Sequence, residues 1–142
     1  SYYLSTWLWH YKASYDADED ATRYDYNTFG ATSVSTQHHH LDVYALMWVS
    51  EWLRLAELSG NDVWREKAKA IWTNGCQILS DGTLEINGLI RPVGSQNEAF
   101  FECAWGGYPE KKRINDWLVA WPGAFRLETM RNISDWGALD NE

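Results

Sequence analysis

Cysteine is scarce in this sequence, which has Cys76 and Cys103 among its 142 residues. Two cysteines are too few for a disulfide framework, and their separation does not match the spacing of zinc ligands. An unpaired cysteine is among the residues most often buried in folded proteins. We therefore expect two buried thiols with a structural role.

Long apolar runs and an excess of basic residues are also missing. No stretch reaches the roughly 18 consecutive apolar residues that a membrane span needs, and none resembles a signal peptide. Lys and Arg total 12 against 20 Asp and Glu, which gives a formal net charge of -8 at pH 7. Because a phosphate backbone repels such a chain, we do not expect nucleic acid as a partner. We do not expect a membrane either, because the sequence has no apolar span of the required length.

Aromatic residues are abundant, with 10 Trp, 8 Tyr and 4 Phe. A tryptophan ring can fill a core or provide a flat platform for a ligand. A chain of this length fits one domain and can bury about two-thirds of its unfolded surface. Residues 1–142 are therefore interpreted as a single domain. Its tryptophans could either fill the core or stack on a ligand.

The apolar pattern of the middle of the chain predicts a pair of helices. Residues 41–58 are apolar around most of a helical circumference, which is typical of a helix flanked on several sides. Gly60 is suited to the end of that helix, and Asn61 or Asp62 to the start of the next, over residues 63–79. The second helix is apolar on one side only. We expect an antiparallel hairpin whose first helix is the more buried.

The chain beyond residue 80 predicts a β-hairpin and two further helices. Two β-prone runs near residues 83–93 are joined by Asn-Gly, the strongest short hairpin signal. Ser95 and Glu98 have the spacing of a capping box, which predicts a short helix over 96–105. Pro122 suits the first turn of a last helix that runs to about residue 131.

Three stretches resemble one enzyme superfamily: STQHHHLDVYALMWVSEWLRLAELSG, RPVGSQNEAFFECAWGG and DWLVAWPGAFRLETM. They are similar to the C-terminal portion of six-hairpin, (α/α)6-toroid glycoside hydrolases, of the uronide-acting, glucuronidase-like kind. The resemblance implies an all-α fold of antiparallel helical hairpins. This sequence predicts too few helices for a closed ring, so we expect a C-terminal fragment of a toroid that self-associates or joins a missing N-terminal part.

The resemblance also implies a glycoside hydrolase with an oligosaccharide substrate, which could contain uronic acid, and with no cofactor. Glycoside hydrolysis normally needs two carboxyl groups. The candidates are Glu98, Glu102, Asp42 and Glu128, and Glu98 and Glu102 are preferred because a helix over 96–105 would place them on one face. Glu98 has the alternative role of a cap, and Glu102 that of an ordinary solvated residue. A lyase, an epimerase and a non-catalytic carbohydrate-binding or scaffold domain remain open.

The resemblance implies an active site in the central funnel of the toroid, and each substrate-binding candidate for that site has a structural alternative. His38, His39 and Asn97 can contact sugar hydroxyls, or can be satisfied structural groups. Arg91 can hold a uronate carboxylate with two hydrogen bonds, or can be a surface or ion-paired residue. Three tryptophans beside loops are candidates for stacking on a sugar or for the core: Trp105, Trp117 and Trp121. No metal is expected, because three adjacent histidines at a helix start project in different directions.

Overall fold

The computed structural model describes residues 29–33, 41–77, 79–83, 85–86, 89–96, 99–101 and 118–133. This part of the chain is mainly helical, with short strands. The elements in chain order are β1 (Thr32–Ser33), β2 (Leu41–Asp42), a 3₁₀-helix (Tyr44–Trp48), α1 (Val49–Ser59), α2 (Val63–Cys76), β3 (Glu85–Ile86), β4 (Leu89–Ile90), β5 (Ala99–Phe101) and α3 (Trp121–Asn132). None of the helices described has the length and apolar character of a membrane-crossing segment.

Helices α1 and α2 form the predicted helical hairpin. Gly60 ends α1 in a left-handed conformation, with φ of 64°, and its N–H donates to the carbonyl oxygen of Ala56 at 2.9 Å. The side chain of Asn61 accepts a hydrogen bond of 3.1 Å from the N–H of Val63, an otherwise unpaired donor at the start of α2. The Gly60 and Asn61 predictions are thus confirmed.

Tryptophan rings join the two helices at their centre. The ring of Trp52 lies 5.7 Å from that of Trp64, and Trp48 lies 5.7 Å from Trp52 on its other side. Trp52 is almost fully buried, while Trp48 and Trp72 are partly buried against the core. The core residues are Ala31, Val43, Ala45, Leu46, Val49, Trp52, Leu53, Ala56, Trp64, Ala68 and Ile71. Trp48, Trp52 and Trp72 thus contribute to the core.

The segment predicted as the first helix is the more buried of the two, as expected. Seven of the described residues of 41–58 are buried, against six of the described residues of 63–79. The far side of α2 is covered because the side chain of Asn74 donates a hydrogen bond of 3.1 Å to the carbonyl oxygen of Phe29. Gly30 then lies directly on the backbone of Ala70. The difference is small because this contact covers a second side of α2.

Three short strands form an antiparallel sheet in the order β1-β2-β5. Leu41 pairs with Ser33 on one side and with Phe101 on the other, and Asp42 pairs with Thr32 and Ala99. The register shifts between Leu41 and Asp42, which indicates a bulge. The predicted helical start at residue 41 is therefore wrong, because the backbone there pairs with strands on both sides. The α-helix begins at Val49.

The prediction of a helix over 96–105 is also wrong for those of its residues that the structure describes. Gln96 forms an antiparallel bridge with Leu79, and Ala99–Phe101 is strand β5. The same bridge explains why α2 ends at Cys76 and not at residue 79. The β-hairpin is confirmed: Glu85 pairs with Ile90, and Ile86 with Leu89.

Helix α3 begins at Trp121 with Pro122 in its first turn, close to the predicted bounds. Arg126 on this helix donates from Nη2 to the carbonyl oxygen of Gly75, at the end of α2. Cys76, the last residue of α2, is exposed. The expectation of a buried thiol is wrong for Cys76, because this residue lies at a helix end on the surface. Cys103 lies outside the described residues.

Candidate functional site

The structure describes two of the nine residues predicted for the site. These are Arg91, which follows the β-hairpin, and Trp121, the first residue of α3. The other seven lie outside the described residues, and their predicted roles stay predictions: His38, His39, Asn97, Glu98, Glu102, Trp105 and Trp117. The structure does describe residues that flank these seven in sequence.

The β2–β5 pairing brings the borders of two predicted site segments together. Leu41, which directly follows the three histidines in sequence, pairs with Phe101, which directly precedes Glu102. At the other end of the pairing, Asp42 lies opposite Ala99, the residue after Glu98. Two segments far apart in sequence thus meet at one small sheet.

The extended conformation of β5 changes the argument for a carboxylate pair. A helix would have placed Glu98 and Glu102 one turn apart on the same face. The three residues between them form a strand, in which the chain advances about 3.3 Å per residue, or roughly 10 Å over three residues. Spacing along a helix therefore no longer supports a close pair of these carboxylates.

Buried polar groups concentrate at the base of the β-hairpin. We call Ser80, Arg91, Ser95 and Gln96 the hairpin-base cluster. The hydroxyl of Ser80 donates to the carbonyl oxygen of Arg91 at 2.8 Å and accepts from the N–H of Gly82 at 3.0 Å. The N–H of Ser80 donates to the carbonyl oxygen of Ser95 at 2.9 Å. These hydrogen bonds close the hairpin onto the residues that lead to Asn97 and Glu98.

Gln96 links the hairpin-base cluster to the start of α3. Its backbone forms the bridge with Leu79, and its carbonyl oxygen accepts a hydrogen bond of 2.9 Å from the N–H of Val119. Its side chain is buried. Gln96 therefore fixes the backbone immediately before Asn97, two residues from the predicted acid.

Arg91 is buried, with 8% of its surface exposed, so the surface position that sequence analysis left open is wrong. Its backbone carbonyl is held by Ser80. A guanidinium keeps its charge in proteins, and burial of that charge is costly without a partner. The buried position of Arg91 therefore requires polar contacts in place of solvent.

The indole of Trp121 is stacked on one face. The ring of Tyr44 lies 4.5 Å away and is tilted by only 10°, and Phe125 contacts the indole edge-on at 5.8 Å. Trp121 is partly buried against the core. A sugar ring could therefore stack only on the face that Tyr44 leaves uncovered.

Among the described residues, pKa shifts are resolved for Asp81, Lys67 and Arg126, none of which is a predicted site residue. The side-chain and backbone hydrogen bonds from Thr83 lower the pKa of Asp81. Burial lowers the pKa of Lys67, whose ammonium lies 5.2 Å above the ring of Trp64, and burial also lowers the pKa of Arg126. Among the residues that the structure describes, no group of three or more His, Cys, Asp or Glu could hold a metal ion.

Sequence analysis missed the buried polar residues that organise this region. Ser80, Gln96 and Arg126 are each less than a tenth exposed. The sequence Ser80-Asp81-Gly82 signals a turn, from which a serine bonded across that turn could have been inferred. Arg126 gives no such signal, because its partner is a backbone carbonyl 51 residues away.

Comparison of the chain with protein-family models, curated proteins and solved structures found no match. No family is assigned to the chain on that basis.

Proposed function

We propose that this chain is part of a carbohydrate-active protein, a glycoside hydrolase of the (α/α)6-toroid type that acts on an oligosaccharide. The observation that carries the proposal is the pairing of Leu41 with Phe101. It joins the border of a histidine-rich segment to the border of a segment with two carboxylates. The tryptophan-rich helical hairpin beside this sheet supports the same proposal, since toroids of this type are built from such hairpins.

Glu98 is the proposed general acid or base, and Glu102 the proposed second carboxylate. Hydrolysis of a glycosidic bond needs one protonated carboxyl group to assist the leaving group and one ionised group to act as nucleophile or base. Gln96, whose backbone forms the bridge with Leu79, lies two residues before Glu98, and strand β5 begins at the residue after Glu98. A catalytic group needs such support from ordered neighbours.

The binding roles follow from the chemistry of sugars. His38, His39 and Asn97 are proposed to hydrogen-bond hydroxyl groups, and Trp105, Trp117 and the free face of Trp121 to stack on sugar rings. A uronate carboxylate is the ligand that Arg91 would pair with most strongly, because a guanidinium binds a carboxylate with two parallel hydrogen bonds. Its burial supports a role in which the partner excludes water.

The deciding experiment measures hydrolysis of aryl glycosides, glucuronides included, by the complete chain and by Glu98→Gln. The substitution keeps the shape of the side chain and removes its proton chemistry, so turnover should fall about a hundredfold or more. Glu102→Gln tests the second carboxylate in the same way. Glu51→Gln, at an exposed position on α1, is the matched control and should retain full activity. Unchanged turnover in both test variants would exclude the catalytic assignment.

Product analysis separates the other functions. A lyase would release an unsaturated uronide, and an epimerase would return a product of unchanged mass. A non-catalytic binding domain would bind oligosaccharides without turnover, with weaker binding after Trp105→Ala or Trp117→Ala. Each result would replace the hydrolase proposal with the corresponding function.

A further inference from the structure

The ring of Tyr44, in the 3₁₀-helix, stacks on the indole of Trp121, the first residue of α3. The ring centroids are 4.5 Å apart and the planes differ by only 10°. Three other ring pairs in the described part of the chain are tilted by between 31° and 61°. One of them is the edge contact of Phe125 with Trp121. The plane of this indole is therefore constrained from two directions.

Tyr44 itself has a fixed place in the fold. Its two neighbours in sequence, Val43 and Ala45, are both buried in the core. The carbonyl oxygen of Val43 accepts a hydrogen bond of 3.1 Å from the N–H of Leu46. Helix α3 packs against the same 3₁₀-helix. The backbone that carries Tyr44 is thus anchored on both sides, and the indole of Trp121 takes its plane from an ordered neighbour.

The aromatic stack is close to the sheet that borders the predicted catalytic segment. Tyr44 follows Asp42, the last residue of β2, by two residues, which span at most about 7 Å. Asp42 pairs with Ala99, and such partners have Cα atoms about 5 Å apart. The Cα atom of Tyr44 therefore lies within roughly 13 Å of that of Ala99, the residue after Glu98. The stack and Glu98 are within the reach of one oligosaccharide.

We propose that Tyr44 is a positioning residue for the substrate, because it fixes the plane of the Trp121 indole on which one pyranose ring of the oligosaccharide stacks. This inference rests on the proposed function and adds a residue that was not among the site candidates. Tyr44 covers one face of Trp121, so the sugar binds to the opposite face and Tyr44 acts without touching it.

The chemistry of stacking explains why the plane of the indole matters. An aromatic ring is electronegative on its faces and electropositive at its edge. The C–H groups on one side of a pyranose ring carry a small positive charge, so they are attracted to a face and not to an edge. An indole that rotates freely must be ordered when the sugar binds, and that ordering lowers the affinity. Tyr44 removes this cost equally for bound substrate and transition state, so its loss should raise KM and leave kcat unchanged.

The test measures kcat and KM of the full chain on tetrasaccharides of hyaluronan, polygalacturonate and cellulose. Tyr44→Leu and Tyr44→Met keep an apolar side chain without a planar ring, and should raise KM about fivefold to tenfold with kcat almost unchanged. Tyr44→Phe keeps the ring and should retain the parent KM. Trp72→Leu, at a partly buried core position, is the control and should lower stability without changing KM.

A measurement without sugar tests the stack separately. In the chain labelled with fluorotryptophan, the fluorine resonance of Trp121 is assigned by its loss in Trp121→Phe. This resonance should shift in Tyr44→Leu, because a stacked ring changes the magnetic field at nuclei above its face. A resonance that does not move in the folded variant would overturn the proposal.

The kinetic outcomes separate this inference from the proposed function. An unchanged KM in Tyr44→Leu and Tyr44→Met, with the parent active, would overturn the positioning role and leave the proposed function intact. If neither variant folds, Tyr44 is a core residue and the positioning role is wrong. A parent chain that neither hydrolyses nor binds any of the three tetrasaccharides would contradict the proposed function, and this inference with it.

Discussion

The helical hairpin and the hairpin-base cluster are stabilised in opposite ways. In the helical hairpin, Trp52 and Trp64 fill the space between α1 and α2 with apolar surface. In the hairpin-base cluster, Ser80 and Gln96 are buried as well, but they are held by hydrogen bonds to the backbone of distant residues. The first region depends on buried apolar area and the second on hydrogen bonds to the backbone.

This difference determines how each region responds to substitution. Loss of apolar volume costs free energy roughly in proportion to the contacts removed, and the surroundings can partly relax. Loss of one polar partner leaves the other partner buried and unsatisfied, a smaller but sharply localised cost. The substitutions below test this contrast, in order of decreasing expected effect.

Removal of the central ring should cause the largest loss. Trp52→Ala deletes an almost fully buried indole, so the free energy of unfolding should fall by about 4 kcal/mol. Urea denaturation followed by circular dichroism measures the change. Leu58→Ala is the control on the same helix, where the side chain is 69% exposed, and should change stability by no more than about 0.5 kcal/mol. Similar losses in both variants would contradict the assigned core.

The contact between Gly30 and α2 should be the next most sensitive. A Cβ atom at Gly30 would overlap the carbonyl group of Ala70, and φ of 86° is unfavourable for other residues. Gly30→Ala should therefore lower the free energy of unfolding by about 3 kcal/mol. Gly123→Ala, in a helix with open space around it, should instead raise stability by up to about 1 kcal/mol. A harmless Gly30→Ala would show that this segment does not cover α2.

The hairpin-base cluster should show the intermediate effect. Ser80→Ala removes the donor to Arg91 and the acceptor for Gly82, both at a buried position, and should cost about 2 kcal/mol. Ser59→Ala removes an exposed hydroxyl that donates to Leu55 at 2.6 Å and should cost about 0.5 kcal/mol or less. Thermal denaturation of both variants makes the comparison. Equal costs would mean that burial does not strengthen the Ser80 bonds.

The smallest effect concerns the turn at Asp81–Thr83, just before the β-hairpin. The hydroxyl and N–H of Thr83 donate to the carboxylate of Asp81 at 2.6 Å and 2.8 Å and lower its pKa below the usual 3.8. A depressed pKa means that this contribution to stability is present above pH 3.8 and is lost as the pH falls through the lower folded-state pKa. Thr83→Val removes the hydroxyl alone, so the pKa of Asp81 should rise part of the way. A titration by NMR would show no change if the backbone N–H dominates.

Local patterns predicted the elements that depend on neighbouring residues. Gly60, Asn61 and Pro122 each fulfil the role expected from their own backbone chemistry, and Asn-Gly correctly indicated the β-hairpin. The failures occurred where a distant partner competes with local preference. Leu41 pairs with a strand that follows the hairpin, and Ala99–Phe101 pairs with Leu41–Asp42 in place of forming the helix that the capping box indicated.

The candidate site shows the same difference between local patterns and distant partners. Sequence chemistry suggested Arg91 as an anion-binding residue but could not predict its burial, since a serine 11 residues earlier holds its backbone. Trp121 was expected beside a loop with both stacking and core roles open. Its stacking against Tyr44 depends on the return of α3 to the 3₁₀-helix, which no spacing in the sequence encodes.

The pairing of Leu41 with Phe101 has a consequence for the order of folding. Helices α1 and α2 and the β-hairpin close short loops, and such local contacts form in microseconds. The sheet β1-β2-β5 must bring together residues on either side of all these elements, at a larger entropic cost. We therefore expect the sheet to form last, so substitutions there should mainly accelerate unfolding and leave the refolding rate almost unchanged.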